Sequence, residues 1–409
     1  MTMLICKYIV LLATAILFTA CGGGGSGPNT AVAAPTAPFE INVNTPPAND
    51  SSGVLPTLSV FASGLDQPWS MAFLPDGRWL VTQKTGSLVV VSADGTQISA
   101  PVSGLPAVDN SGQGGLLDVV LDPKFASNRR IYLTFSEPGP LDSQGNTTNG
   151  TAVLRGELNA NATALANPTV IFRQSSKKSG TSLHYGSRVV FHADGSLFVT
   201  LGERSGYAPE AQLINGHLGK VVRMTSDGAP LPDNPFFSQG GDAAYVWTLG
   251  HRNPQGAAIH PGTGDLWIAE HGPQGGDEVN LAMPGRNFGW PTVSYGCNYG
   301  DPVGIACRFG GGVHNTPFAA PLSFWYPIST APGAIMFYRG SRFPEWQDSV
   351  FVGSLAGATL WRLRLRGNTV VGIERFFAGQ HQIRDLKVGL DGWIYLIARD
   401  TNQILRVQR

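Results

Sequence analysis

Two textures divide the chain. Up to about residue 55 there is one long apolar run and then little to bury, whereas beyond it short segments of alternating apolar and polar residues recur. Most of these are led by a turn of Asp-Gly type, and alternation with period two predicts half-buried strands. The unit reads LPDGRWLVTQKTGSLVVV from Leu74, NRRIYLTFSE from Asn128, HADGSLFVTLGE from His192, GTGDLWIAEHG from Gly262, WQDSVFVGSLAGATLWRLRL from Trp346 and GLDGWIYLIARDTNQILRV from Gly389. Its copies are spaced too irregularly for a tight solenoid and suit propeller blades with long inserted loops. The expected fold is therefore all-β, a six-bladed β-propeller over residues 56–409. In several copies the inner strand runs into a polar, glycine-containing loop, so these loops should gather at one end of a central channel.

Composition agrees, because 52 glycines and 29 prolines argue against long helices. At the N-terminus Lys7 precedes an apolar run from Tyr8 to Phe18, which is short of the roughly 20 residues a bilayer needs and has the shape of an export signal. Thr19 and Ala20 before Cys21 resemble a bacterial lipobox, which implies cleavage after residue 20 and lipidation of Cys21; an ordinary secretory signal cut at a nearby small residue is the alternative. Residues 21–55, rich in Gly, Pro, Ala, Ser and Thr, are expected to be a flexible tether. The expected location is the cell envelope, lipid-anchored at the outer membrane and facing the periplasm, with that anchor the only membrane contact.

GGGGSG at Gly22 satisfies a dinucleotide-loop search but follows no strand and opens no helix, so that reading fails on context. Cys297 and Cys307 share one loop of an exported chain and are most simply a disulfide. Formal net charge is zero and there is no basic run, which leaves nucleic-acid binding without electrostatic support.

Five segments carry candidate chemistry. GQGGLLDVVLDPKF places Gln113 in a glycine loop. LHYGSRVVFHADG places His184 just ahead of a strand, where an imidazole can take a proton near neutral pH; Arg188 and His192 of that segment look like scaffold or surface. LGHRNPQG supplies Arg252 and Asn253, suited to neutralise and orient an oxyanion. AEHGPQGGDEVN offers His271, carbonyls at Gly272 and Pro273, and the acids Asp277 and Glu278, a mixed oxygen set that calcium prefers. QIRDLKVGLDG adds Arg384 and Asp385. No nucleophile elbow, zinc-protease helix or P-loop is present.

Taken in order, GQGGLLDV, HYGSR, HLGKVVRM, GHRNPQG, EHGPQGGDEVNL, NFGWP and RDLKVGLDG resemble the soluble aldose sugar dehydrogenases of the glucose/sorbosone dehydrogenase family. These are six-bladed propellers that use pyrroloquinoline quinone (PQQ) and calcium. The resemblance implies an oxidoreductase that converts an aldose sugar to its lactone and passes electrons to a diffusible or respiratory acceptor. It implies His184 as catalytic base, Arg252 as a catalytic and cofactor-binding cation, and Gln113, Asn253, His271 and Arg384 around the cofactor. Calcium would take the carbonyls of Gly272 and Pro273, and a second, structural site would use Glu278 with Phe288. Two positions depart from the pattern: Ala356 stands where the family has a lysine, and Gln382 where it has an arginine. Lys387, Arg362 and His381 are the nearby candidates to replace that charge. The same losses favour the alternative, a non-catalytic calcium-stabilised propeller that binds a sugar, an envelope polymer or a protein.

Overall fold

The computed structural model describes residues 37–44 and 51–409. The export segment and Cys21 lie outside the described residues. Among the described residues no helix is long and apolar enough to cross a membrane.

Six antiparallel sheets follow one another along the chain as the blades of a propeller. Blade one is Pro68–Phe73, Trp79–Gln83 and Ser87–Val91. Blade two is built on Leu116–Leu121 and the long hairpin Arg130–Leu141 with Thr147–Leu158. Blade three starts with Val189–Phe191 and Leu197–Leu201, and blade four with Pro254–Ile259 and Leu266–Glu270. Blade five starts with Pro332–Phe337 and Val350–Ser354, and blade six with Ile383–Val388 and Ile394–Ala398. Blade six closes the ring: its outer strand Thr57–Ala62 pairs with Gln403–Gln408, so the two ends of the domain share one sheet and no blade-sized gap is left open.

Each repeat found in the sequence falls in a different blade. The position of the recurring strand differs from expectation, however. First strands of neighbouring blades pack on one another around the axis, so the strand before the turn is innermost, and the second strand carries the functional loop.

The tether is also shorter than expected. Phe39–Asn42 adds in parallel to Ser323–Tyr326 of blade four, satisfying that edge and burying Ile41 beside Trp267 and Trp325. Ser52 bonds Glu374 through its hydroxyl at 2.9 Å, and Val54 joins the blade-five and blade-six core. Isolated apolar residues in a polar stretch were enough to dock it.

The channel is plugged by one side chain that ties all six blades together. Arg188 of blade three pairs with Asp118 of blade two at 3.1 Å and Asp385 of blade six at 2.9 Å. It also donates to the carbonyl of Gln255 in blade four at 2.8 Å, and to those of Gly333 in blade five and Arg384 in blade six at 2.9 and 3.0 Å. Ser70 of blade one completes the ring, donating to Asp118 at 2.6 Å. Arg188 thus does belong to the scaffold.

Candidate functional site at the channel mouth

Five of the six first strands carry a register shift near their beginning, at Pro68/Ser70, Leu116/Val119, Pro254/Gly256, Pro332/Ala334 and Ile383/Asp385. A bulge leaves one residue out of the ladder and re-aims it. In blades one, four and six those residues are Trp69, Gln255 and Arg384, and all three line one cleft. The second strands supply the rest. The first residue after them is Lys84 in blade one, His271 in blade four, Leu355 in blade five and Arg399 in blade six, and these four line the same cleft. Gln113 reaches it from the loop ahead of blade two.

His184 sits beside this cleft on a tightly held loop. Its backbone is left-handed, φ 52°, a conformation that a non-glycine residue keeps only when its surroundings impose it. Gln113 Oε1 accepts its backbone N–H at 2.9 Å, and Arg204 holds the Leu183 carbonyl at 2.6 Å while stacking on Tyr185 at 3.5 Å. Asn253 Oδ1 accepts the Gly186 N–H at 3.0 Å. Gly202 lets the loop approach, because a Cβ there would meet the His184 carbonyl at 2.2 Å. Gln113 and Asn253, expected as cofactor contacts, here hold the backbone of the His184 loop.

The His184 ring hydrogen-bonds through Nδ1 to Glu203 Oε1 at 2.6 Å. A carboxylate accepts, so Nδ1 carries the proton and Nε2 keeps a lone pair. Burial pushes the imidazole's pKa below its ordinary value and the Arg252 charge adds to this, with Glu203 pulling the other way. His184 is therefore neutral and ready to accept a proton at neutral pH. His271 is also held neutral, well below the usual range, by burial and then by Arg384 and Arg252. Its Nε2 meets the Pro332 carbonyl at 3.2 Å, which assigns the ring proton to Nε2.

Arg252 bridges two parts of the site. Its guanidinium donates to the Gly272 carbonyl at 2.7 Å and lies 5.4 Å from the Trp290 ring. The Pro273 carbonyl accepts from Ser329 Oγ at 2.6 Å. The loop between them is held from behind by Asp277, which accepts the N–H groups of Gly272 and Ala331 at 2.8 Å each, and that of Thr330. Beneath it, Glu278 and Phe288 line a small pocket with Gly272, Arg252 and Glu270. Burial, and then the charge of Glu270, raises the Glu278 pKa well above the carboxylate range. The Asn280 amide bridges the two acids, at 2.9 Å to Glu270 and 3.2 Å to Glu278. Among the described residues no cluster of three or more His, Cys, Asp or Glu side chains could hold a metal, so a calcium site here would rest on carbonyls and this acidic pair. Cys297 and Cys307 form the expected disulfide, with Cα atoms 5.1 Å apart, beyond this loop.

A model of the glucose/sorbosone dehydrogenase family matches residues 65–406. The chain belongs to this family. It is similar to the aldose sugar dehydrogenase YliI of Escherichia coli (strain K12), 39% identical over 86% of this chain and 92% of the relative. A crystal structure of a glucose dehydrogenase superposes with TM-score 0.78 at 41% identity, covering 86% of this chain and 99% of that one. The PQQ-bound aldose sugar dehydrogenase of Streptomyces coelicolor superposes at 0.70 with 27% identity, covering 87% and 98% of the two chains.

In this member of the glucose/sorbosone dehydrogenase family the structure brings His184, Gln113, Arg252, Asn253, His271 and Arg384 to one mouth of the channel. It adds Glu203, Glu270, Trp69, Gln255, Lys84 and Arg399. The signal for four of these was present in the repeats: Lys84, Glu203, Glu270 and Arg399 all lie at the end of a blade's second strand or within two residues beyond it.

Proposed function

We propose that this chain catalyses the PQQ- and calcium-dependent oxidation of an aldose sugar at its anomeric carbon to the lactone. The observation that carries this is a buried neutral imidazole, its Nε2 unprotonated, beside a cleft lined by Lys84, Arg384 and Arg399 and, among the described residues, by no carboxylate. The residues fit a flat polyanion. Arg384 Nε and Asn253 Nδ2 are buried donors without a hydrogen-bond partner among the described residues, the kind of atom a quinone or carboxylate oxygen would satisfy. The naming of the Streptomyces relative as PQQ-bound supports the same assignment.

When bound, PQQ supplies the two-electron acceptor for the hydride leaving the anomeric carbon. His184 Nε2 takes the proton of the anomeric hydroxyl, Glu203 holds the ring in the tautomer that makes this possible, and Asn253 and Gln113 hold the backbone on either side of the ring. Arg252 offers a cation for developing negative charge, a role worth several kcal/mol in a water-excluded site. Calcium would be held by the Gly272 and Pro273 carbonyls, and a second ion by Glu278 with Phe288 and Glu270, whose mutual repulsion it would relieve. The electrons would pass on to a diffusible or respiratory acceptor, with a lipid at Cys21 keeping the domain at the envelope.

The test is reconstitution of the chelator-stripped domain with calcium and PQQ, following dye reduction across a panel of aldoses. Activity requiring both additions is the expected result. A folded protein with no activity and no PQQ binding by calorimetry would leave the non-catalytic binding propeller as the better description.

A further inference from the structure

The family's lysine and one arginine are absent at Ala356 and Gln382, and none of the three nearby candidates to replace that charge faces the cleft unpaired. Arg362 is spent on Glu374, Ser349 and the Glu345 carbonyl. His381 pairs with Asp400 at 3.1 Å. Lys387 lies three residues beyond Arg384 along an extended strand, about 10 Å further from the cleft.

The cleft nevertheless holds positive charge from elsewhere. Lys84 and Arg399 follow the second strands of blades one and six, the two blades next to each other around the axis, and both line the cleft with Arg384. Lys84 donates to the Asn110 carbonyl at 2.7 Å, a contact that fixes its position without neutralising it. The Arg399 guanidinium donates to Gln382 Oε1 at 3.3 Å, and its backbone N–H donates to the Gln382 carbonyl at 2.8 Å. That contact explains the substitution. An arginine at position 382 would repel Arg399, whereas a glutamine accepts from it and props its charge over the cleft. The cations feel one another: Arg399 lowers the pKa of both Lys84 and Arg384, after burial in each case. Asp109 near Lys84 and Asp385 and Asp118 near Arg384 offset this only in part, and among the described residues no carboxylate lines the cleft itself.

We infer that Lys84 and Arg399 are the carboxylate-binding residues for PQQ in this chain, taking over the charge lost at positions 356 and 382, with Gln382 positioning Arg399. This rests on the proposed PQQ-dependent function. The cofactor's carboxylates would lie toward blades one and six, near Trp69, which lies on Arg384 with 4.9 Å from guanidinium to ring centre.

The experiment is a titration of the calcium-loaded domain with PQQ, read by calorimetry and by quenching of intrinsic tryptophan fluorescence, at several salt concentrations. Lys84→Gln and Arg399→Gln should each raise Kd about tenfold, as expected for loss of one partly solvated charge-assisted contact, and should flatten its salt dependence. Lys387→Gln should stay within twofold of the parent. Tight binding by the parent with Kd unchanged in both cleft variants would overturn this inference and leave the enzymatic reading standing. A folded parent that binds no PQQ would overturn both.

Discussion

Arg188 and Arg384 lie over the same tryptophan, 4.4 and 4.9 Å from the Trp69 ring centre, yet one belongs to a region where every charge is answered and the other to a region where charge accumulates. Around Arg188 two carboxylates and three carbonyls absorb the guanidinium, and all six blades contribute. Arg384 donates only to neutral groups, Gln255 Oε1 at 2.8 Å and the Gly333 carbonyl at 3.1 Å, its Nε has no partner among the described residues, and it shares the cleft wall with Lys84 and Arg399; burial, then Arg188 and Arg399, lowers its pKa to about 9 against the opposing pull of Asp385 and Asp118. Folding alone selects the first arrangement. The second is costly for folding and makes sense when an anion completes it, so the two layers separate scaffold from site within one channel.

The sharpest way to break that comparison is to remove one cation from each layer. Arg188→Met should cost about 3–5 kcal/mol, because Asp118 and Asp385 would stay buried and unpaired. Thermal melts should show a large drop or no folded protein. Lys84→Gln and Arg399→Gln should leave the melting temperature of the PQQ-free domain unchanged or slightly higher, since they relieve repulsion. If the cleft variants melted early as well, the cleft cations would belong to the scaffold too.

Within the site, His184→Gln separates chemistry from binding. Loss of a general base lowers turnover by about 10²–10⁴-fold. PQQ affinity and melting temperature should stay close to the parent's, because the loop is held mainly through backbone contacts to Gln113 and Arg204. Turnover near the parent's in this variant, measured in single-turnover kinetics, would remove His184 from the mechanism.

The blades and the His184 and His271 loops were legible in the sequence for a physical reason: an Asp-Gly turn and a period-two strand are local signals, and so are HYGSR and EHGPQGGDEVNL. The hub and the cleft cations were not. Arg188 acquires its meaning from Asp118 and Asp385, whose positions 70 residues before it and almost 200 after it meet only when the ring closes. Lys84 and Arg399 sit in unremarkable turns, VTQKTG and IARDTN, and become a pair only because blade one follows blade six around the axis. Lys387 and Arg362 looked nearer along the chain, but strand direction carries one away from the cleft and Glu374 claims the other. The departure at Gln382 was visible; its purpose needed the 3.3 Å contact to Arg399.

The smallest expected effect concerns Glu203, which lies outside both layers and tunes the base. In the proposed mechanism neutral His184 is the working form, so kcat/KM should fall as pH drops through its pKa, and burial places that acid limb below the ordinary imidazole value. Glu203 opposes burial through its hydrogen bond and its charge. Glu203→Gln removes the charge, lowering the pKa further, so the limb should move to still lower pH. The plateau should also fall, by about tenfold, because a less basic imidazole takes the proton less readily and is less well oriented. A kcat/KM profile from about pH 4 to pH 8 checks both halves at once. A lowered plateau with the limb unmoved would make Glu203 a purely steric prop, and a limb moved to higher pH would mean that Glu203 does not stabilise the protonated ring.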